Sequence, residues 1–213
     1  MPILEKRSRD HSRKAASTDA FLDATAQLLA EGESFADLNV SRIAERAGRT
    51  RTAFYAHFED RRELLLALFE RAGVAGLSAS KPFLENINGL SHDQISSSVA
   101  GLFGIFRDQA PLLRAVVEAA GYDDEIAAFW HGVVSRFIEG AQKQFRAEGL
   151  HHEEAAALAS TLVWMTERSC YQQAVRGGTD LDDEAMVAAI ANVWWAVIQA
   201  SRNAARPGAP IVP

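Results

Sequence analysis

The stretch from Asn39 to Phe58 constrains this chain more than any other. It reads Asn39-Val40-Ser41-Arg42-Ile43-Ala44-Glu45-Arg46-Ala47-Gly48-Arg49-Thr50-Arg51-Thr52-Ala53-Phe54-Tyr55-Ala56-His57-Phe58 and predicts two short helices broken at Gly48. Asn39 suits the cap of the first helix, because its side-chain oxygen accepts from the free amides of an opening turn. Ile43, Ala44 and Ala47 fall on one face at helical spacing. Gly48 tolerates the left-handed position that ends a helix. Thr50 suits the cap of the second helix, which carries Phe54 and Phe58 as an apolar stripe. Ala44 and Ala47 are small enough for the helices to cross closely. The pattern is that of a helix-turn-helix, whose second helix enters the DNA major groove.

Arg42, Arg46, Arg49 and Arg51 crowd the same stretch and are opposed within it only by Glu45. Such a fringe suits a phosphate backbone, where each neutralised phosphate releases counterions. Taken alone, the pattern also fits a solvated charged face beside a small core helix.

The run Ile43-Ala44, Ala47-Gly48, Thr50, then Phe54-Tyr55-Ala56-His57-Phe58 and Arg61 to Leu65 resembles the signature of the tetracycline-repressor (TetR) family. The resemblance covers roughly the first third of the chain. It implies an all-helical dimer that represses transcription and leaves DNA when a small molecule binds. Two positions depart from the pattern. Arg49 stands where a small apolar residue is usual, and Arg61 stands where lysine is common. The sequence leaves open whether Arg49 points at DNA or lies across the turn. Arg49, Arg51 and Thr52 are the candidates for base edges, since arginine pairs bidentately with guanine. Thr50, Tyr55, His57 and Arg61 are the candidates for phosphates, with Arg42 and Arg46 behind them.

The net charge of −6 argues superficially against nucleic acid. It hides two unlike parts: residues 1–62 hold 11 Lys/Arg against 10 Asp/Glu, and residues 63–213 hold 11 against 18. A local basic face on an acidic body is compatible with DNA binding. One cysteine, Cys170, excludes an intrachain disulfide and is consistent with the cytoplasm. The polar, basic N-terminus does not read as a signal peptide, and no apolar run approaches the ~18 residues of a membrane span.

The expected fold class is all-α, with a three-helix helix-turn-helix domain followed by a larger helical ligand-binding and dimerisation domain, about nine helices in all. The expected divisions are 1–62, 63–205 and a flexible tail at 206–213. Residues 1–15 read as a basic mobile arm, either lying along DNA or simply a disordered terminus. From Ala16 to Glu31 the positions Phe21, Ala24, Thr25, Leu28 and Leu29 mark one helical face. These join Phe35, Leu38, Ile43, Phe54 and Phe58 in a small core. Glu59-Asp60 can open the next helix, which carries Leu64, Leu65, Leu68 and Phe69 and links the small domain to the rest. A helix end and loop are expected over 77–92. Further helices are expected around Ile95–Phe106, after Pro111, over Asp123–Glu148, over His152–Val175 and over Asp182–Ala204.

The second part is apolar and rich in large aromatics: Trp130, Phe137, Trp164, Tyr171, Trp194 and Trp195. These either fill a core or line a tunnel between helices. Met165-Thr166-Glu167-Arg168, Cys170-Tyr171 and the final helix around Val193-Trp194 resemble the ethionamide-resistance repressor branch of the family. That resemblance implies a hydrophobic ligand in a tube lined by Leu102, Phe106, Trp130, Val134, Phe137, Thr166, Cys170 and Trp194. The amides that anchor ligands in that branch would fall at Val163 and Thr166, leaving only the Thr166 hydroxyl. Glu167 and Arg168 read first as a structural ion pair with another helix, through Arg114 or Glu118. The last helix shows Met186, Ile190, Val193 and Val197 on one face, flanked by Val187, Trp194 and Ile198. It suits a homodimer through the last two helices, which would set two recognition helices one DNA turn (~34–36 Å) apart.

His151-His152-Glu153-Glu154 does not converge on a metal, because adjacent helical residues point apart. No catalytic residue, cofactor or metal is assigned. The reading is a repressor of double-stranded operator DNA, released by a small hydrophobic effector. The rivals are a dimeric regulator that senses nothing, which predicts a fully packed second domain, and a helical carrier or enzyme.

Overall fold

The computed structural model describes the backbone of residues 2–79, 91–178 and 180–204, and the side chains of 14–73, 91–178 and 180–203. Among these residues there are nine α-helices and no strand. In chain order they are α1 (Pro2–Ala30), α2 (Val40–Arg46), α3 (Arg51–Tyr55), α4 (Arg61–Ala79), α5 (His92–Asp108), α6 (Ala110–Ala119), α7 (Asp124–Ala147), α8 (His152–Cys170) and α9 (Asp183–Ala204). The loop expected over 77–92 and the tail over 206–213 lie almost wholly outside the described residues.

The N-terminal arm differs from expectation: α1 begins at Pro2 and runs unbroken into the first core helix. The segment contains no glycine, and Pro2 stands in the first turn, where its missing N–H removes no helical bond. Gly32, at φ +92°, ends α1, its amide donating to the Leu29 carbonyl and the next amide to that of Leu28.

The head packs around Phe21, Leu28, Leu38, Ile43 and Phe54, all fully buried. Phe21 meets Phe54 edge-on with centroids 5.4 Å apart. Phe35 and Phe58 close the cluster. Burying a side chain of this size stabilises by roughly 1.5–3 kcal/mol, so this handful of residues carries the head.

Asp60 opens α4 by accepting from the Glu63 amide at 2.9 Å. Leu64, Leu65 and Leu68 are buried from its first half. In the body, α7 packs along α8 and α9 packs along α5, with α6 bridging to α1. Ser91 caps α5 in a reciprocal box with Gln94, and Asp123 caps α7. Pro111 sits in the first turn of α6, as its spacing predicted.

The penultimate helix does not run to Val175 as a plain α-helix. It changes at Tyr171 into a π-turn, Tyr171–Val175. Arg114 Nη2 donates to the Val175 carbonyl at 2.6 Å and holds the widened turn. The last helix also turns a different face inward. Ile190, Ala191, Trp194 and Ile198 are buried, while Val193 is 42% exposed among exposed alanines.

Candidate nucleic-acid interface and interior cavity

The turn between α2 and α3 is built as the residues demand. Asn39 Oδ1 accepts from the Arg42 amide at 3.0 Å, and Thr50 Oγ1 accepts from the Ala53 amide at 3.1 Å. Gly48 takes φ +62°, and the Arg49 amide donates back to the Ala44 carbonyl at 2.9 Å. A side chain at Gly48 would find space, but its backbone conformation would be strained.

The arginines divide into two groups. Arg46 makes a bidentate pair with Glu31, both contacts at 2.7 Å, and holds that carboxyl below its ordinary range. Arg42 donates to Glu33 at 2.8 Å. Arg61 is committed to the chain itself: Nη1 donates to the carbonyls of Phe35, Ala36 and Leu38, and its guanidinium lies over the Phe35 ring. These three tie the α1–α2 loop to α2 and to the start of α4, a structural task that sequence spacing did not reveal.

Arg49 and Arg51 remain. Both are exposed at the leading end of α3. Arg49 Nη1 reaches the Gly48 carbonyl at 3.3 Å, so its side chain lies back across the turn in the unbound state. Arg51 has no partner among the described residues, and Thr52 beside it is exposed. Tyr55 is 53% exposed, with its ring edge-on to Phe54 at 5.4 Å. His57 is half-buried against Phe21 and Phe58, and its Nδ1 lies 3.1 Å from Thr18 Oγ1 on α1. Burial, with Lys14 nearby, lowers its pKa from the ordinary value.

The body holds a partly open cavity of about 120 Å³. Leu102, Phe106, Trp130, Val134, Phe137, Thr166 and Trp194 all line it. Cys170 does not. It is fully buried, one helical turn (about 6 Å) past Thr166, and burial beside Glu167 pushes its thiol up to about 12. That thiol is inert. The sequence reading missed the wall contributed by α4, where Phe69, Ala72 and Gly73 face the cavity, and also Leu112, Leu113 and Gln109. Phe69 was legible as apolar, but nothing in its spacing separates a cavity wall from a filled core.

Thr166 does not offer a free hydroxyl donor. Its Oγ1 donates to the Leu162 carbonyl at 2.8 Å and accepts from Trp194 Nε1 at 2.9 Å. Glu167 also lines the cavity, and the cross-helix pairs expected for it and for Arg168 are not formed. Arg114 serves the π-turn, and Glu118 pairs with Arg176 at 2.9 Å.

The middle of α4 thus walls the cavity while its first turn holds the head. At that first turn Arg62 pairs with Asp60 at 2.8 Å and crosses to Glu125 at the start of α7 at 2.5 Å. Among the described residues no helix is long and apolar enough to cross a membrane.

Comparison with known proteins matches two family models. Residues 21–68 match "Bacterial regulatory proteins, tetR family", and residues 95–200 match "Transcriptional regulator EthR, C-terminal domain". A curated relative, the HTH-type transcriptional regulator EthR of Mycolicibacterium smegmatis, is 27% identical over 83% of each chain. Among solved structures, a TetR-like transcriptional regulator from a Rhodococcus species superposes with a TM-score of 0.63 at 18% identity, covering 88% of this chain and 96% of that one. A TetR family regulator from Marinobacter aquaeolei gives 0.59 at 21% identity, over 87% and 97%. At those identities the structures share a fold.

Proposed function

The chain belongs to the TetR family of DNA-binding transcriptional regulators, with an EthR-type C-terminal domain, and on that footing we propose a homodimeric repressor that leaves operator DNA when a small hydrophobic effector fills the cavity. The family is not an enzyme class, and no residue is assigned a catalytic role. Binding operator DNA puts the protein in the cytoplasm of a bacterium.

The observation that carries this reading is the reach of α4, which touches the head in its first turn and walls an apolar cavity roughly two to three turns further on, at Phe69, Ala72 and Gly73. A regulator that senses nothing has no use for that cavity. In the proposed division, residues 1–62 form the arm and reader and residues 63–205 the effector and dimer body, with 206–213 as a tail. The boundary falls in the first turn of α4, so that helix serves both parts.

Arg51 and Thr52 are proposed to meet base edges, with Arg49 swinging off the Gly48 carbonyl to join them. Thr50, Tyr55 and His57 are proposed to meet phosphates, with Arg42 and Arg61 contributing mainly by holding the turn in shape. Dimerisation is proposed through α8 and α9, where Ala185, Ala188, Ala189, Val193 and Ala196 form an exposed strip of small and apolar residues. Small side chains let two copies approach closely and bury helix against helix. An effector that binds better when the heads are splayed draws the dimer off DNA by population shift.

The test is a gel-shift titration of the full chain on DNA from its own upstream region at several salt concentrations. Specific binding that weakens steeply with salt, with two heads per complex, is expected. A strictly monomeric particle indifferent to that DNA at low salt would sink the proposal.

A further inference from the structure

The cavity wall is apolar except at a few places, and one of them is out of keeping with the rest. Glu167, in α8, is about 5% exposed, and neither oxygen of its carboxyl has a hydrogen-bond partner. The nearest cation is Arg168 Nε at 3.7 Å, beyond hydrogen-bond reach. Arg168 is itself half exposed and lies over the Tyr171 ring, outside the cavity wall. Burial raises the Glu167 pKa, with Arg168 pulling the other way.

A buried polar group with no partner is costly, and native chains retain few of them. One that borders an empty apolar space is matched if an occupant brings the missing donor. The neighbouring wall supplies Phe106, Trp130, Phe137 and Trp194, whose ring faces attract cations. A carboxyl among aromatic side chains, with no cation inside the wall, is chemically fitted to an ammonium head on an apolar body.

We propose that the effector of this chain is a lipophilic amine whose nitrogen pairs with Glu167. The inference rests on the cavity being the effector site. Folding has already taken the carboxyl out of water, so where Glu167 is ionised only the amine's own desolvation opposes the pair. A carboxyl that holds its proton passes it to a neutral amine, and a carboxylate meets an ammonium directly. Both routes end in the same pair, with one proton between oxygen and nitrogen.

Three probes of one chain length separate the possibilities: octylamine, octan-1-ol and octanoate. Each is titrated into the full-length dimer and read by calorimetry and by the fluorescence of the tryptophans lining the cavity. Octylamine is expected to bind at least about tenfold more tightly than octan-1-ol, the order expected of a charge-assisted hydrogen bond, and octanoate most weakly. Glu167→Gln keeps the shape of the side chain and is expected to erase the amine preference while octan-1-ol binding stays within about threefold. Glu167→Leu, which removes the orphaned group, is expected to raise the melting temperature, so a folding failure in one variant does not leave the question open. Octan-1-ol binding as well as octylamine, or an amine preference that survives Glu167→Gln, overturns the amine assignment alone. Failure of all three probes to enter overturns the effector site as well.

Discussion

Arg46 in the head and Glu167 in the body are both charged residues on helices, and they meet opposite surroundings. Arg46 is gripped by both oxygens of Glu31, and its neighbours Arg42 and Arg61 are held by Glu33 and by backbone carbonyls. The head therefore spends its charge on its own frame and leaves Arg49 and Arg51 open at the tip. Glu167 sits sealed in an apolar wall with both oxygens unmatched. A missing partner costs little in water and much in the interior. The open charge at the tip and the sealed charge in the cavity both mark a place for something outside the chain, but the sealed one makes the stronger claim.

The largest effect that can break this comparison comes from the head's core. Phe54 is fully buried, with Phe21 and Phe58 centroids at 5.4 and 5.5 Å. Phe54→Ala is expected to cost about 3–5 kcal/mol, which is as much as so small a core supplies. All four tryptophans, Trp130, Trp164, Trp194 and Trp195, lie in the body. The variant should lose operator binding and part of its helical circular dichroism on early heating, with tryptophan fluorescence unchanged until the body melts. Joint melting would show that head and body are one cooperative unit, and the contrast between them would lose its meaning.

The head was largely legible because its rules are local. Asn39, Gly48 and Thr50 declare caps and a turn, and a four-residue spacing puts Phe54 and Phe58 on one side. What stayed hidden was which arginines the frame consumes, since Glu31 to Arg46 and Arg61 to Leu38 are pairings set by packing. The body was legible as helices and as an aromatic wall, less so in detail. A π-turn has no sequence signature of its own, so the helix was drawn straight through Tyr171–Val175; Cys170, carried into the cavity by the resemblance alone, lies just before that turn and outside the wall. Glu167 was read as an ion pair with another helix because a buried carboxylate normally has a close partner, whereas the fold leaves it only its neighbour Arg168 at 3.7 Å and no hydrogen bond.

A middling effect sharpens the division at the tip. Arg51→Ala is expected to lose roughly 1–3 kcal/mol of discrimination between operator and scrambled DNA, read by competition gel shift. Arg49→Ala is expected to lose less, because Arg49 must first leave the Gly48 carbonyl. Tyr55→Phe should weaken both DNAs alike, the mark of a phosphate contact. Equal losses on both DNAs from Arg51→Ala would move that side chain from base reader to phosphate clamp.

The smallest effect concerns His57, which belongs to both the frame and the proposed interface. Its folded pKa is lowered from 6.5 by burial and by Lys14, so below that value the unfolded chain binds the proton more readily. The neutral-imidazole contribution is complete above 6.5 and is lost as pH falls through the depressed folded value. Wild type should show a small drop in denaturation midpoint between pH 7.5 and 5.5 beyond that of His57→Gln, a difference in which the carboxylates cancel. DNA binding should move the other way. Thr18 Oγ1 donates to the Lys14 carbonyl at 3.2 Å, so Nδ1 carries the hydrogen toward Thr18 and neutral Nε2 offers a phosphate only a lone pair. Protonation makes Nε2 a donor. Operator affinity of wild type relative to His57→Gln should therefore rise over the same pH interval in which its stability falls, and parallel movement of the two would remove His57 from the phosphate contacts.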